Sequence, residues 1–219
     1  MTPADPSRGG LAARLRLIVI TDRDLARPRE ATEVVGEALR AGAPAVQLRE
    51  KTLPPRDTLP IARRLRADTK TADALLFVND RIDLALAVGA DGVHLGPDDL
   101  PVAAARRIAP PGFLIGYSAD EPAAARAAVA EGADYIGCGA VFPTSTKSDA
   151  GRAVGLGGLA RMVAAVDVPV VAIGGITEAC APGVFRAGAT GCAVVGAVMA
   201  ANDPALTVRT FMHAAAGAS

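Results

Sequence analysis

The chain has 219 residues and is 51% hydrophobic but only 3% aromatic, with no Trp, so its core must be built from Ala, Val, Leu and Ile. That composition suits β-branched parallel strands packed under Ala-rich helices. Its 23 Lys+Arg balance its 23 Asp+Glu, which excludes a global field that would draw in nucleic acid or an anionic membrane. Cys138, Cys180 and Cys192 lack CxxC spacing and only two His are present, which argues against a disulfide framework and a Cys/His zinc site.

In chain order, residues 1–14 come first, and their opening Met1–Gly10 stretch is rich in Pro, Ser and Gly; a disordered N-terminal extension is expected, with the folded domain over 15–216. No signal peptide is expected, since the apolar run Leu15–Ile20 is short, broken by Arg16 and followed by Asp22. The longest apolar stretch, 188–201, falls short of the roughly 20 residues a membrane span needs. A soluble, cytoplasmic protein is expected.

Strand-like runs follow at Leu17–Thr21, Pro44–Val46, Ala74–Asn79, Gly92–Val93, Phe113–Ser118, Tyr135–Ile136, Val168–Ile173 and from Gly191, alternating with Ala-rich helical segments. One pattern returns four times: Ala41-Gly42-Ala43-Pro44, Val88-Gly89-Ala90-Asp91, Glu131-Gly132-Ala133-Asp134 and Ala187-Gly188-Ala189-Thr190. Its glycine is expected just past a helix end, in left-handed backbone geometry, with a strand beginning after it. The intervals between repeats are too long for one strand–helix unit, so each holds two. Eight such units predict an α/β fold, a single-domain (β/α)8 barrel, with an open doubly wound sheet as the alternative.

Barrel chemistry sits at the carboxyl ends of the strands. In Gln47-Leu48-Arg49-Glu50-Lys51, alternation sends Gln47, Arg49 and Lys51 to one side, an amide and two cations that need an anionic or polar partner. Asn79-Asp80 ends the third strand and Asp99 follows the fourth, with Asp98 competing for its role; two converging carboxylates beside cations suit Mg²⁺. Pro143-Thr144-Ser145-Thr146-Lys147 offers three hydroxyls and a cation for a second anion, and Ser148–Gly157 has the composition of a mobile lid. Gly174-Gly175 and Val195-Gly196 suit phosphate binding by backbone N–H groups, although ordinary turns also favour Gly. His94 reads better as a satisfied structural imidazole than as a general base, and Cys138 and Cys192 as small core residues. The site is rich in anion and metal binders and poor in acid–base groups, which points to departure of a phosphate-type leaving group.

With these residues in place, the chain resembles the thiamine phosphate synthase family from about Leu15 to Met199, on Gln47–Lys51, Asn79-Asp80-Arg81, Gly92–Gly96, Asp134–Gly137, Pro143–Lys147 and Val171–Ile176. The resemblance implies a barrel that joins a pyrimidinylmethyl diphosphate to a thiazole phosphate, or its carboxylated form, releasing diphosphate by a dissociative, Mg²⁺-assisted route. Carried over position by position, Gln47, Leu48, Arg49, Glu50, Lys51, Asn79, Ser118 and Lys147 would hold the pyrimidine diphosphate, with Arg49, Lys51, Ser118 and Lys147 catalytic. Asp80 and Asp99 would hold Mg²⁺; Thr144, Ser145, Thr146, Gly175, Val195 and Gly196 would hold the thiazole phosphate. Two positions depart from the family's pattern: Pro97 stands where a Gln is common, and Gly196 where a Ser is frequent.

Three other functions are compatible with parts of this pattern. A thiazole tautomerase on the same barrel typically carries a His after the fifth-strand Ser, where this chain has Ala119-Asp120-Glu121. A non-catalytic sensor of thiamine phosphates should have lost a metal carboxylate or the loop lysine, and both are present. An unrelated barrel isomerase or lyase would share the glycines but not the Asn79-Asp80 and Thr144–Lys147 clusters. The expected partners are small phosphorylated molecules; a homo-oligomer is left open by an Ala-rich surface without a readable interface.

Overall fold

Alternation along each strand sorts its residues between a barrel lumen and a shell of helices. In the computed structural model, which describes residues 6–144 and 153–217, eight parallel strands close in sequential order. They are β1 Leu17–Ile20, β2 Ala45–Leu48, β3 Leu75–Asn79, β4 Gly92–Leu95, β5 Leu114–Ala119, β6 Tyr135–Cys138, β7 Val170–Ile173 and β8 Gly191–Val194. The helices in chain order are α1 Pro6–Arg14, α2 Arg23–Ala26, α3 Ala31–Arg40, α4 Pro55–Thr71, α5 Ile82–Val88, α6 Val102–Ile108, α7 Pro122–Ala130, α8 Gly155–Val163, α9 Ala181–Arg186, α10 Gly196–Met199 and α11 Pro204–Ala216. The expected closed barrel is therefore the fold, and the open sheet is not.

Disorder is expected through residue 14, but α1 occupies Pro6–Arg14. Leu15 donates its N–H to the Leu11 carbonyl at 3.0 Å, Leu11 packs on the lumen cluster, and the Arg14 guanidinium reaches the Asp73 carbonyl at 2.8 Å. Leu11 and Leu15, four apart, supply the apolar edge that secures the turn. Similarly, α8 begins at Gly155, inside the stretch whose composition suggested a lid; residues 148–152 lie outside the described residues.

The lumen is packed by Leu15, Ile18, Ile20, Ala45, Leu75, Phe77, Tyr135, Val171 and Ala193. Its rings occupy space that absent side chains leave. A Cβ at Gly116 would overlap the Tyr135 ring, and one at Gly92 would lie 2.8 Å from Phe77 Cε1. Phe77 and Tyr135 then meet edge-on, with centroids 5.3 Å apart. The other strand face packs on the helices, and Cys138 and Cys192 lie in that layer. Burial pushes the Cys138 thiol up to about 11 and the Cys192 thiol up to about 12, so neither is a nucleophile at neutral pH.

The fourfold repeat has a physical basis. Gly42, Gly89, Gly132 and Gly188 have φ of +95°, +63°, +107° and +95°, the left-handed geometry expected of them. In the last three repeats, two residues later, the chain clamps the preceding strand at two points. Asp91 donates its N–H to the Leu76 carbonyl at 2.9 Å and accepts the Leu76 N–H at 2.8 Å. Asp134 does the same to Ile115 at 2.7 Å in both directions. Thr190 does so to Val170 at 2.8 and 3.3 Å. Arg66 and Arg106 in turn ion-pair with Asp91 and Asp134. Replacing Asp134 by Ala strips the Ile115 N–H of its side-chain acceptor and removes the ion pair of Arg106, whose guanidinium keeps the Gly132 and Phe113 carbonyls; it should destabilise the fold by about 2 kcal/mol, read as a Tm drop of roughly 4–8 °C in calorimetry.

Candidate active site

The carboxyl ends of the strands collect the polar residues, and β2 carries the densest set. Thr21, just past β1, donates its N–H to the Gln47 carbonyl at 3.0 Å, and its Oγ1 accepts the Arg49 N–H at 2.9 Å. The β1–β2 pairing thus runs on beyond the strands and keeps Gln47 and Arg49 on the lumen face. Asp22 accepts the N–H groups of Asp24 and Leu25 at 3.1 Å, capping α2, and sets a carboxylate 3.9 Å from the Arg49 guanidinium. Gln47 is 3% exposed, yet neither its amide nor that of Asn79 makes a side-chain hydrogen bond among the described residues. Two buried-to-half-buried amides of this kind are suited to a ligand.

The side chains of Leu48 and Glu50 fall on the other face, away from those of Gln47 and Arg49. Leu48 packs in the layer between barrel and helices. Glu50 accepts from the Thr52 N–H and Oγ1–H at 2.8 Å, the Leu53 N–H at 3.1 Å and Arg23 at 3.1 Å. Burial would raise this carboxyl, but those donors together hold it below its ordinary value. Glu50 therefore shapes the turn from which Lys51 projects.

Lys51 Nζ donates to Asp80 Oδ2 at 2.5 Å. Asp80 sits at φ +63°, a left-handed conformation that Asp tolerates better than most side chains, and its N–H donates to the His94 carbonyl at 2.8 Å. Arg81 is engaged elsewhere, bonding Asp83 at 2.6 and 2.9 Å. Asp99 Oδ2 accepts the Gly96 N–H at 2.7 Å, folding the Pro97-Asp98 turn so that Asp98 faces solvent and the Asp99 carboxyl meets that of Asp80. Of the two neighbouring acids, Asp99 is the one brought into the site. Burial, then the adjoining Asp80 carboxyl, raises its pKa, because two carboxylates in contact resist carrying two charges. Two carboxylates converging beside cations are a donor set that fits Mg²⁺, which takes one or two carboxylates plus substrate oxygens. Among the described residues no cluster of three or more His, Cys, Asp or Glu could hold a metal.

On the next strands, His94 lies between two hydroxyls, Nδ1 3.0 Å from Tyr135 Oη and Nε2 2.8 Å from Ser118 Oγ. It is a satisfied imidazole, as expected. Across the barrel, Gly175 at φ +63° passes so close to the Phe142–Pro143 backbone that a Cβ there would lie 2.8 Å from Phe142 Cβ. This contact brings Thr144, the last described residue of its loop, beside the β7 turn. Ser145, Thr146 and Lys147 lie outside the described residues. The N–H groups of Gly175 and Gly196 have no acceptor among the described residues. Thr21 and Asp22, the polar end of the first strand, and Tyr135 support the site through these contacts.

A barrel mouth with two cations, two converging carboxylates, amides without a side-chain partner and backbone N–H groups without an acceptor among the described residues is the kind of site an enzyme of this fold carries at its strand ends. Residues 17–198 match the model of the family described as thiamine monophosphate synthase, and the chain belongs to that family. A thiamine-phosphate synthase of Methanoculleus marisnigri is 50% identical over 202 residues, 92% of this chain and 96% of that protein. The solved structure of a thiamine phosphate pyrophosphorylase from Pyrococcus furiosus superposes with a TM-score of 0.88 at 46% identity, covering 95% of this chain and 98% of its own. A 3-hexulose-6-phosphate synthase at 21% identity and TM-score 0.67 covers 91% of this chain and 99% of its own and shares the fold. The chain is accordingly an enzyme, a transferase of thiamine biosynthesis.

The contact of Asp80 with Asp99 gives a stability prediction for the metal-free protein. A carboxyl whose folded pKa is raised contributes its stability below the unfolded value and loses it as pH rises through the folded one. Asp99→Asn should therefore raise Tm at pH 7 without metal, and adding Mg²⁺ should raise the Tm of the wild type more than that of the variant.

Proposed function

We propose that the chain joins a pyrimidinylmethyl diphosphate to a thiazole phosphate, with or without an extra carboxylate on the thiazole, giving thiamine phosphate and diphosphate by a dissociative route in the cytoplasm. The observation that carries this reading is the Lys51–Asp80–Asp99 chain of contacts beside Arg49, which concentrates anion- and cation-binding groups at one edge of the mouth. Asp80 and Asp99 would hold Mg²⁺, which when bound supplies positive charge to offset that growing on the leaving group.

Arg49 and Lys51, with Lys147 from the loop after β6, bind the diphosphate and neutralise it as the bond from the methylene carbon to the leaving oxygen breaks, both electrons going to oxygen. Gln47 and Asn79 offer amide donors and acceptors to the pyrimidine end, and Ser118 offers a hydroxyl. Thr144, Ser145, Thr146, Gly175, Val195 and Gly196 hold the thiazole phosphate so that the ring nitrogen faces the pyrimidinylmethyl cation and donates its lone pair to form the new C–N bond. No proton need be abstracted, in keeping with a mouth poor in general bases. The packed lumen of Phe77 and Tyr135 closes the floor and keeps out water that would trap the cation.

The test is product formation from both substrates with Mg²⁺, repeated with EDTA. Thiamine phosphate should appear only with metal, and Asp80→Ala or Lys147→Ala should raise the barrier by about 3–4 kcal/mol, two to three orders of magnitude in kcat. Near wild-type rates for both variants would remove the metal and diphosphate roles. A Cβ at Gly196 would make an ordinary 3.7 Å contact with Leu25, so a hydroxyl fits there. Gly196→Ser is expected to lower KM for the thiazole phosphate while leaving kcat within a few-fold, measured by initial rates.

A further inference from the structure

Tyr135 is fully buried in the lumen, and among the described residues its hydroxyl has one hydrogen-bond partner, His94 Nδ1 at 3.0 Å. A buried O–H that donates to nothing carries an unmet desolvation cost. If Nδ1 bore the ring proton and donated to Oη, the phenolic proton would have no described acceptor. The arrangement that satisfies every group has Tyr135 donating to Nδ1. A ring carrying a single proton then has it on Nε2 and donates it to Ser118 Oγ, 2.8 Å away. Burial pushes the phenol's pKa up, which keeps the starting proton on oxygen.

The geometry cannot easily relax. The Tyr135 ring fills the space over Gly116 and abuts Phe77, while a Cβ at Gly137 would come within 2.9 Å of His94 Cε1. Ser118 accepts from the imidazole, so its own proton is turned away from the ring. His94 cannot take that proton, because the nitrogen facing Ser118 is already occupied.

We propose that Tyr135 and His94 are positioning residues: they form a one-way hydrogen-bond chain that holds Ser118 Oγ as acceptor on one side and aims its proton, as a fixed donor, at an oxygen of the departing diphosphate. The target of that proton rests on the reading of Ser118 as a diphosphate ligand; the direction of the chain does not.

Two measurements separate these layers. The chain has only two histidines, so ¹⁵N-histidine labelling with a His213→Gln control assigns His94 directly. Ligand-free wild type should show Nε2 protonated and Nδ1 unprotonated, and Tyr135→Phe should abolish that single tautomer. A wild-type ring protonated on Nδ1 overturns the proposal. In steady-state kinetics, His94→Leu should cut kcat by roughly 10–100-fold with KM little changed, and His94→Gln, which keeps an N–H toward Ser118, should recover most of it. The His94→Leu, Ser118→Ala double variant should be no slower than Ser118→Ala alone; additive losses overturn the proposal. A Ser118→Ala enzyme at wild-type rate would instead overturn the diphosphate reading of Ser118, with the tautomer still deciding the direction of the chain. Should His94→Leu fail to fold, Tyr135→Phe and His94→Gln carry the kinetic comparison.

Discussion

The width of an eight-stranded lumen governs this molecule. Such an interior is just large enough for side chains to fill, so every ring placed in it must be matched by a missing side chain on a neighbouring strand. Gly92 makes room for Phe77, Gly116 for Tyr135 and Gly137 for His94. These pairings raise a stair of rings from the barrel floor toward the mouth, and the top step is a hydroxyl, Ser118, hydrogen-bonded to the imidazole. Packing and polarity are therefore one arrangement: the glycines that prevent overlap also fix where the site's hydroxyl stands.

Above that floor the mouth is divided by charge. On the β2–β4 side, Lys51, Asp80 and Asp99 touch in sequence, and Asp80 is held by an unusual backbone angle and its N–H bond to β4. The two carboxylates oppose each other even with Lys51 at hand, a repulsion that raises the Asp99 pKa. On the β7–β8 side the donors are backbone N–H groups in glycine-bearing turns. Arg49 stands 3.9 Å from the Asp22 carboxylate, an ion pair too long to be a hydrogen bond.

Much of this was legible in the residues. The eight strands and their order follow from short apolar runs, and the recurring glycine marked the ends of α3, α5, α7 and α9, where the chain takes a left-handed turn. The carboxyl-end rule then located Gln47, Arg49, Lys51, Asp80 and Asp99. Three things were not readable. Helix α1 hides behind a Gly- and Pro-rich composition, since its support from Leu11 and Arg14 depends on the barrel's underside. The bonds of Glu50 to Thr52, Leu53 and Arg23 depend on how the turn after β2 folds back, which period two along the strand does not reveal. The Tyr135–His94–Ser118 contacts join residues 41 and 24 positions apart, and only closure of the sheet brings them together.

The two-point clamps made by Asp91, Asp134 and Thr190 all fasten an even-numbered strand to the odd one before it. The barrel can thus be viewed as stapled ribbons laid side by side, with the staples never crossing from one ribbon to the next. A chain whose ends are joined and then reopened between ribbons, for instance between α6 and β5, would keep every staple intact. One reopened between β5 and β6 would sever the connection that each staple is placed to guard.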